Sequence, residues 1–158
     1  MRVGVPTELK VAERRVGMTD DGVADLTRAG HAVYVQSGAG EGVSIPDAQY
    51  EAAGATIVAD ADAVFDSADL IIKVKEPQLV ECEKLTPRHT LFTYLHLAAD
   101  KPQAVARCAS GCTAIAFETI TAPEGGLPLL RPMSQVAGRL SVQVGAHLLE
   151  SAAGGRGL

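Results

Sequence analysis

Three positions join a residue type that can do chemistry to a place where chemistry is often done. His96 closes the apolar run LFTYLHLAAD (91–100), which reads as a strand over 90–96 with a helix starting near Lys101 and Pro102. Imidazole gains and loses a proton near neutrality, so a histidine where a strand meets a loop suits acid–base work. If the strand reaches that far, alternation sends Phe92, Tyr94 and His96 to one side and Leu91, Thr93 and Leu95 to the other. Lys73 and Lys75 share a face near the carboxyl end of DLIIKVKEP (69–77), where Leu70, Ile71 and Ile72 read as a strand buried on both faces. Lysines at a strand rim are usually solvated or snorkelling; their repetition there makes a functional lysine the alternative reading. Arg15 lies in TELKVAERRVGM (7–18), a loop of mixed charge after the first strand. A solvated loop is the plain reading. The functional one is that α/β proteins bind ligands at the carboxyl edge of their strands.

The elements that must position these residues alternate in type. RVGVP (2–6) is a strand stopped by Pro6. Thr19 is a plausible N-cap, with Asp20 and Asp21 at the positive end of a helix that stops at Gly30. Strands are expected at AVYVQS (32–37), weakly at 55–58, and at TAIAF (113–117), which ends in Glu118. Helices are expected over 47–53, 60–67, near 78–84 and over 101–109. The order implies an α/β fold, a mostly parallel sheet with helices on both faces. That gathers the loops of Arg15, Lys75 and His96, with Glu118 as a further candidate, at one sheet edge. Residues 121–132 are rich in Pro and Gly and read as a crossing segment. Ser134 is expected to cap a helix from 135 to about 150, striped by Val136, Leu140, Val144 and Leu148. That stripe wants a second domain or another subunit, and the tail GGRGL reads as a strand about to begin, as if the chain were cut short.

Other classes are argued against by composition. Fourteen Lys and Arg against nineteen Asp and Glu give a net charge of -5 with no basic run, which offers nucleic acid no footprint. The apolar runs are far too short to span a membrane, and MRVGVP has no signal-peptide core, so the cytoplasm is the expected compartment. Cys82, Cys108 and Cys112 form neither a disulfide framework nor a metal set, and no metal is expected. GAGEG (38–42) follows a strand, but Val43 to Pro46 interrupt the helix whose amides a dinucleotide phosphate needs. A flexible turn is expected there.

Taken in order, VGVPTELKVAERRVGMT, IIKVKEP, LFTYLHLA, AIAFET and PMSQVAGRLSVQVGAHLLE closely resemble the N-terminal part of bacterial alanine dehydrogenases. Transhydrogenase alpha chains share the MRVGVP-type start but look unlike this chain at LHLA; saccharopine dehydrogenase-type enzymes are more distant. The resemblance implies the substrate domain of the alanine dehydrogenase / formate-glycerate dehydrogenase catalytic-domain type, followed by a long interdomain helix. Residues 1–130 would be its first segment, 131–150 the crossing segment and helix, and 151–158 the start of an NAD-binding Rossmann domain lying beyond. It further implies NAD-dependent oxidative deamination of L-alanine to pyruvate and ammonia by a homo-oligomer, a hexamer in many relatives. By local match His96 resembles the catalytic acid–base and Lys75 an active-site lysine on the substrate carboxylate and carbonyl oxygen. Arg15 resembles the carboxylate-binding arginine, Tyr94 and Met133 pocket-lining residues, and Ser134 a residue that meets the cofactor. Two alternatives stand beside this: a transhydrogenase-like domain and a non-catalytic small-molecule binding module.

Overall fold

The computed structural model describes residues 1–157 and divides into two compact units, Met1–Ala116 and Phe117–Leu158. In the first, six strands form one sheet: β1 (Arg2–Val5), β2 (Ala32–Gln36), β3 (Thr56–Val58), β4 (Leu70–Ile72), β5 (Thr90–Thr93) and β6 (Thr113–Ala116). Their order is β3-β2-β1-β4-β5-β6, and every pairing is parallel. The chain winds outward from β1 to β3, then returns to the far side of β1 and winds the other way. Between β1 and β4 the loops therefore diverge, opening a crevice at the carboxyl edge.

Flanking the sheet are α1 (Asp20–Arg28), α2 (Asp47–Ala52), α3 (Ala61–Ser67), α4 (Leu79–Cys82) and α5 (Lys101–Ser110). Val3, Val5, Val33, Val35, Ile71 and Leu91 are buried, as expected of central strands covered on both faces. Against Ile71 and Leu91, α3 turns Val64 and Phe65 and its C-cap Ala68, in a cluster completed by Leu85, Leu95 and Ala116. Each large apolar side chain sealed in this way contributes about 1.5–3 kcal/mol.

Capping is local and legible. Asp60 accepts from the Ala63 amide at the head of α3, and Asp100 from the Gln103 amide at the head of α5. Thr19 is the N-cap of α1 without a side-chain bond, so the acids Asp20 and Asp21 are left to face the positive end of that helix. The second unit carries α6 (Arg131–Leu149), which starts earlier than expected. Leu130 is its N-cap and Pro132 lies in its first turn, where a missing N–H costs nothing, so Ser134 is inside the helix and not its cap. The tail is no strand up to Gly157: Ser151–Ala153 form a 3₁₀ turn, and Gly154 and Gly157 take positive φ.

Candidate active site

Strand β4 stops at Ile72, well short of the expected 69–77; the Lys73 amide still donates to Phe92 O of β5, but from the Val74 amide onward side chains take over most of the loop's backbone groups. Glu8, from the loop after β1, accepts from the amides of Val74 (2.6 Å) and Lys75 (3.2 Å). Glu81, in α4, accepts from the Gln78 amide at 2.9 Å. On the carbonyl side, Tyr94 N–H donates to Val74 O, Thr93 Oγ1 to Lys75 O at 2.9 Å, and Gln103 Nε2 to Pro77 O at 3.0 Å. Buried backbone has to find partners somewhere. Here the partners come from four other elements, and the result is a rigid non-repetitive loop.

Inside that loop lies a residue whose burial sequence reasoning missed. Lys73 is fully buried, its Nζ 2.8 Å from Glu81 Oε1 and 3.3 Å from Glu8 Oε2, and both carboxylates are almost as inaccessible. It is neither solvated nor snorkelling. Removing each charge from water costs several kcal/mol, offset only by close pairing. Burial pushes the Glu8 carboxyl above its ordinary range, opposed by Lys73 and the two amides. Only the apolar run ahead of Lys73 hinted at its burial.

Arg15 projects from the same β1 loop, half exposed, with its Nε 2.8 Å from Glu13 Oε1 and its Nη2 2.5 Å from Glu13 Oε2. That two-pronged bond holds the Glu13 carboxyl down at about 2; Lys75 lowers it further from nearby. The guanidinium presents five N–H donors in a planar fork. Glu13 and Arg15, with Thr7, Glu8, Ala39 and Glu41, border a cleft of about 190 Å³ between the β1 and β2 loops. Two glycines permit this packing. A Cβ on Gly17 would lie 2.5 Å from Ile72 O, and one on Gly42 would lie 2.3 Å from Arg14 O. The GAGEG run is therefore a tightly packed corner and not the flexible turn expected, and its end is already part of the 3₁₀ turn Glu41–Val43, where a phosphate-binding helix would have to begin.

His96 is exposed beyond β5, but not at the end of a strand, since the ladder closes at Thr93. Thr93, Tyr94 and Leu95 are all buried, so alternation has ceased. His96 takes φ 46° and ψ 38° and starts the 3₁₀ turn Leu97–Ala99, an uncommon conformation for a residue with a side chain. Its ring still pairs with Tyr94, the two stacked with centroids 5.8 Å apart and planes 8° from parallel. Glu76, nearly buried, would be pushed up by burial, but Lys10, which forms an ion pair with it, and the nearby His96 bring it below its usual value.

The loops after β1, β4 and β5 thus bring Arg15, Lys75, Tyr94 and His96 to one edge. They offer two cations for a carboxylate and an imidazole for proton transfer. Glu118, in the 3₁₀ turn Phe117–Thr119, and Met133 and Ser134, in the first turn of α6, belong to the second unit. Among the described residues no three His, Cys, Asp or Glu side chains gather as a metal would need.

Residues 4–137 match the family described as alanine dehydrogenase/PNT, N-terminal domain. Over all 158 residues the chain is 57% identical to an alanine dehydrogenase of Mycolicibacterium smegmatis, covering 43% of it. It is 48% identical to an alanine dehydrogenase of Bacillus subtilis, again along the whole chain and covering 41% of that protein. A solved L-alanine dehydrogenase superposes with a TM-score of 0.92 at 46% identity, over 100% of this chain and 44% of that one. For a transhydrogenase from Sinorhizobium meliloti the TM-score is 0.69 at 30% identity, over 75% of this chain and 35% of that one. The chain spans less than half the length of these relatives.

Proposed function

The chain belongs to the alanine dehydrogenase/PNT N-terminal domain family, and from there we propose that it is the substrate-binding part of an NAD-dependent L-alanine dehydrogenase. The reaction is the reversible oxidative deamination of L-alanine to pyruvate and ammonia. What carries the reading is that Arg15, Lys75 and His96 come from three loops at the switch-point edge of one sheet, in a chain this similar to proteins of that name. Residues 1 to about 130 are the first segment of the substrate domain, 131–150 the crossing segment and interdomain helix, and 151–158 the start of a cofactor domain.

Arg15 grips the substrate carboxylate with its planar fork, which a lysine cannot reproduce. Lys75 donates to the same carboxylate and to the carbonyl oxygen of pyruvate, steadying the charge that develops there. Tyr94 lines the pocket and its ring fixes the plane of the His96 imidazole through their stack; Met133 is a pocket-lining candidate by its local match to the family. In the deaminating direction His96 takes a proton from water as it adds to the imine carbon of the oxidised substrate. It then returns a proton to the nitrogen as ammonia departs. Glu118 orients neighbours.

NAD supplies the hydride acceptor when bound. The described residues do not fit its phosphates. Strand β1, whose end receives a pyrophosphate in dinucleotide sheets of this order, runs instead into Pro6, and the amides beside that end are already held by Glu8. Ser134 is the candidate of this chain that would touch the cofactor, and the rest of its site lies on a Rossmann domain. Exposed Val136, Leu140, Val144 and Leu148 on α6 suit a homo-oligomer, with a hexamer as the expected form. None of the described helices is long and apolar enough to cross a membrane; the cytoplasm is the proposed compartment.

A full-length protein carrying this chain should reduce NAD in the presence of L-alanine, and should oxidise NADH with pyruvate and ammonium. Reduction of one nicotinamide coenzyme by another, with no amino acid required, would favour the transhydrogenase-like reading. The looser superposition on that structure makes it the weaker alternative. Binding of alanine or pyruvate without turnover would favour a non-catalytic binding module.

A further inference from the structure

Past Val74, whose carbonyl still takes the Tyr94 amide, the loop carrying Lys75 has no strand ladder to hold its shape, and one side chain is central to that. Glu8 lies on the β1 loop, and its carboxylate spans three donors: the amide of Val74 at 2.6 Å, the amide of Lys75 at 3.2 Å, and Lys73 Nζ at 3.3 Å. Its side chain is 2% exposed. It also lies close enough to Arg15 to act on that guanidinium, and it borders the same cleft. We propose that Glu8 is a positioning residue, which fixes the backbone of Lys75 and so aims the Lys75 ammonium at the substrate carboxylate. This rests on the functional reading above and extends it to a group that touches no reacting atom.

The chemistry demands a carboxylate of this length. Two amides and an ammonium present only donors, and an ionised carboxylate is all acceptor. A glutamine in its place would turn an NH₂ toward at least one of those donors. An aspartate would keep the charge beside Lys73 but falls one methylene short of the two amides. Glu81 is the matched comparison. It is equally buried and pairs with the same lysine at 2.8 Å, but its backbone partner is Gln78, at the far end of the loop. A purely structural role for Glu8 predicts that both glutamates behave alike. A positioning role predicts that they part.

In the full-length enzyme, Glu8→Gln should raise KM for pyruvate and lower kcat/KM by about 10²-fold, the scale of an ångström-sized displacement of a binding group. Glu81→Gln should leave KM within about twofold while lowering the thermal midpoint at least as far. Should Glu8→Gln not fold, Glu8→Asp keeps the buried charges balanced and should show the same rise in KM, in smaller measure. The decisive arm is a cycle in which Glu8→Asp is made in a Lys75→Ala background. There it should change KM no further, because the group it positions is gone. A wild-type KM in Glu8→Asp would overturn the proposal, as would equal KM shifts in the two glutamine variants or a full additional loss in the Lys75→Ala background. An unsubstituted enzyme that does not act on alanine or pyruvate overturns the functional reading instead, before any variant is made.

Discussion

Strand β5 has a histidine beyond each end. At the amino end His89 is buried, with Nδ1 accepting from the Thr86 amide at 2.9 Å and Nε2 donating to Phe65 O at 2.9 Å. Both ring nitrogens are committed, and the Nε2–H tautomer is set by the bonds it makes. Arg88 beside it caps the tail of α3 through the carbonyls of Phe65, Asp66 and Ala68. At the carboxyl end His96 is exposed, turned into the left-handed region and stacked on Tyr94. At its amino end β5 is preceded by polar groups that seal a helix end, and at its carboxyl end it leads to a histidine turned outward. Residue type alone does not separate the two histidines; the direction of the strand does.

The sharpest way to break that contrast is to remove His96. His96→Ala in the full-length enzyme should lower kcat by about 10²–10⁴-fold. Its thermal stability should stay close to wild type, as expected of an exposed substitution. An unchanged kcat would end the catalytic assignment, and a large stability loss would make His96 a second His89.

A comparable split is expected between the two lysines of the β4 loop. Lys73→Met leaves Glu8 and Glu81 as uncompensated buried charges and should cost about 3–5 kcal/mol in denaturant unfolding. Lys75→Met should hardly move that midpoint, since its side chain is partly exposed and stands outside the buried Lys73–Glu8–Glu81 cluster. If Lys73→Met unfolds at the wild-type denaturant concentration, the buried cluster does not hold the loop. The smaller counterpart is His89→Ala, which orphans the Thr86 amide, takes one of two donors from Phe65 O, and should cost about 1–3 kcal/mol. Its kcat in the folded fraction should remain that of wild type. A fall in kcat would carry the chemistry across to the amino edge.

Much of this edge was legible because parallel strands are apolar on both faces, so β1, β2, β4 and β5 announce themselves and their loops follow. Arg15, Lys75 and His96 could be assigned to one edge from element order alone. The lengths of β4 and β5 could not: after β4, Glu8 and Thr93 capture backbone groups of Val74 and Lys75, and after β5 the chain turns off at His96 in the left-handed region. Lys73 was opaque for the same reason: its partners come from β1's loop and from α4, and a lysine's burial depends on partners that local pattern cannot see. The GAGEG corner misled because a glycine needed for close approach and a glycine needed for flexibility are the same letter. Ser134 was misread as a cap because Pro132 starts the helix ahead of it.

The least perturbing test concerns the pair that holds Arg15 ready. The Glu13 carboxyl sits at about 2 against an ordinary 4.5, chiefly through its hydrogen bonds from the Arg15 side chain. A carboxylate held down in the fold binds its proton less readily there than in the unfolded chain. The pair's contribution is therefore complete above about pH 4.5 and is lost as pH falls toward 2. Arg15 stays protonated throughout, so the titration belongs to Glu13. With the guanidinium half in water the effect is small, about 1 kcal/mol or less. Urea midpoints of wild type should thus converge on those of Glu13→Gln as pH drops from 5 to 2.5, other carboxylates being common to both proteins. A gap that stays constant with pH would mean that Glu13 orders the loop by shape alone. The carboxyl edge would then resemble the amino edge more closely than its exposed charges suggest.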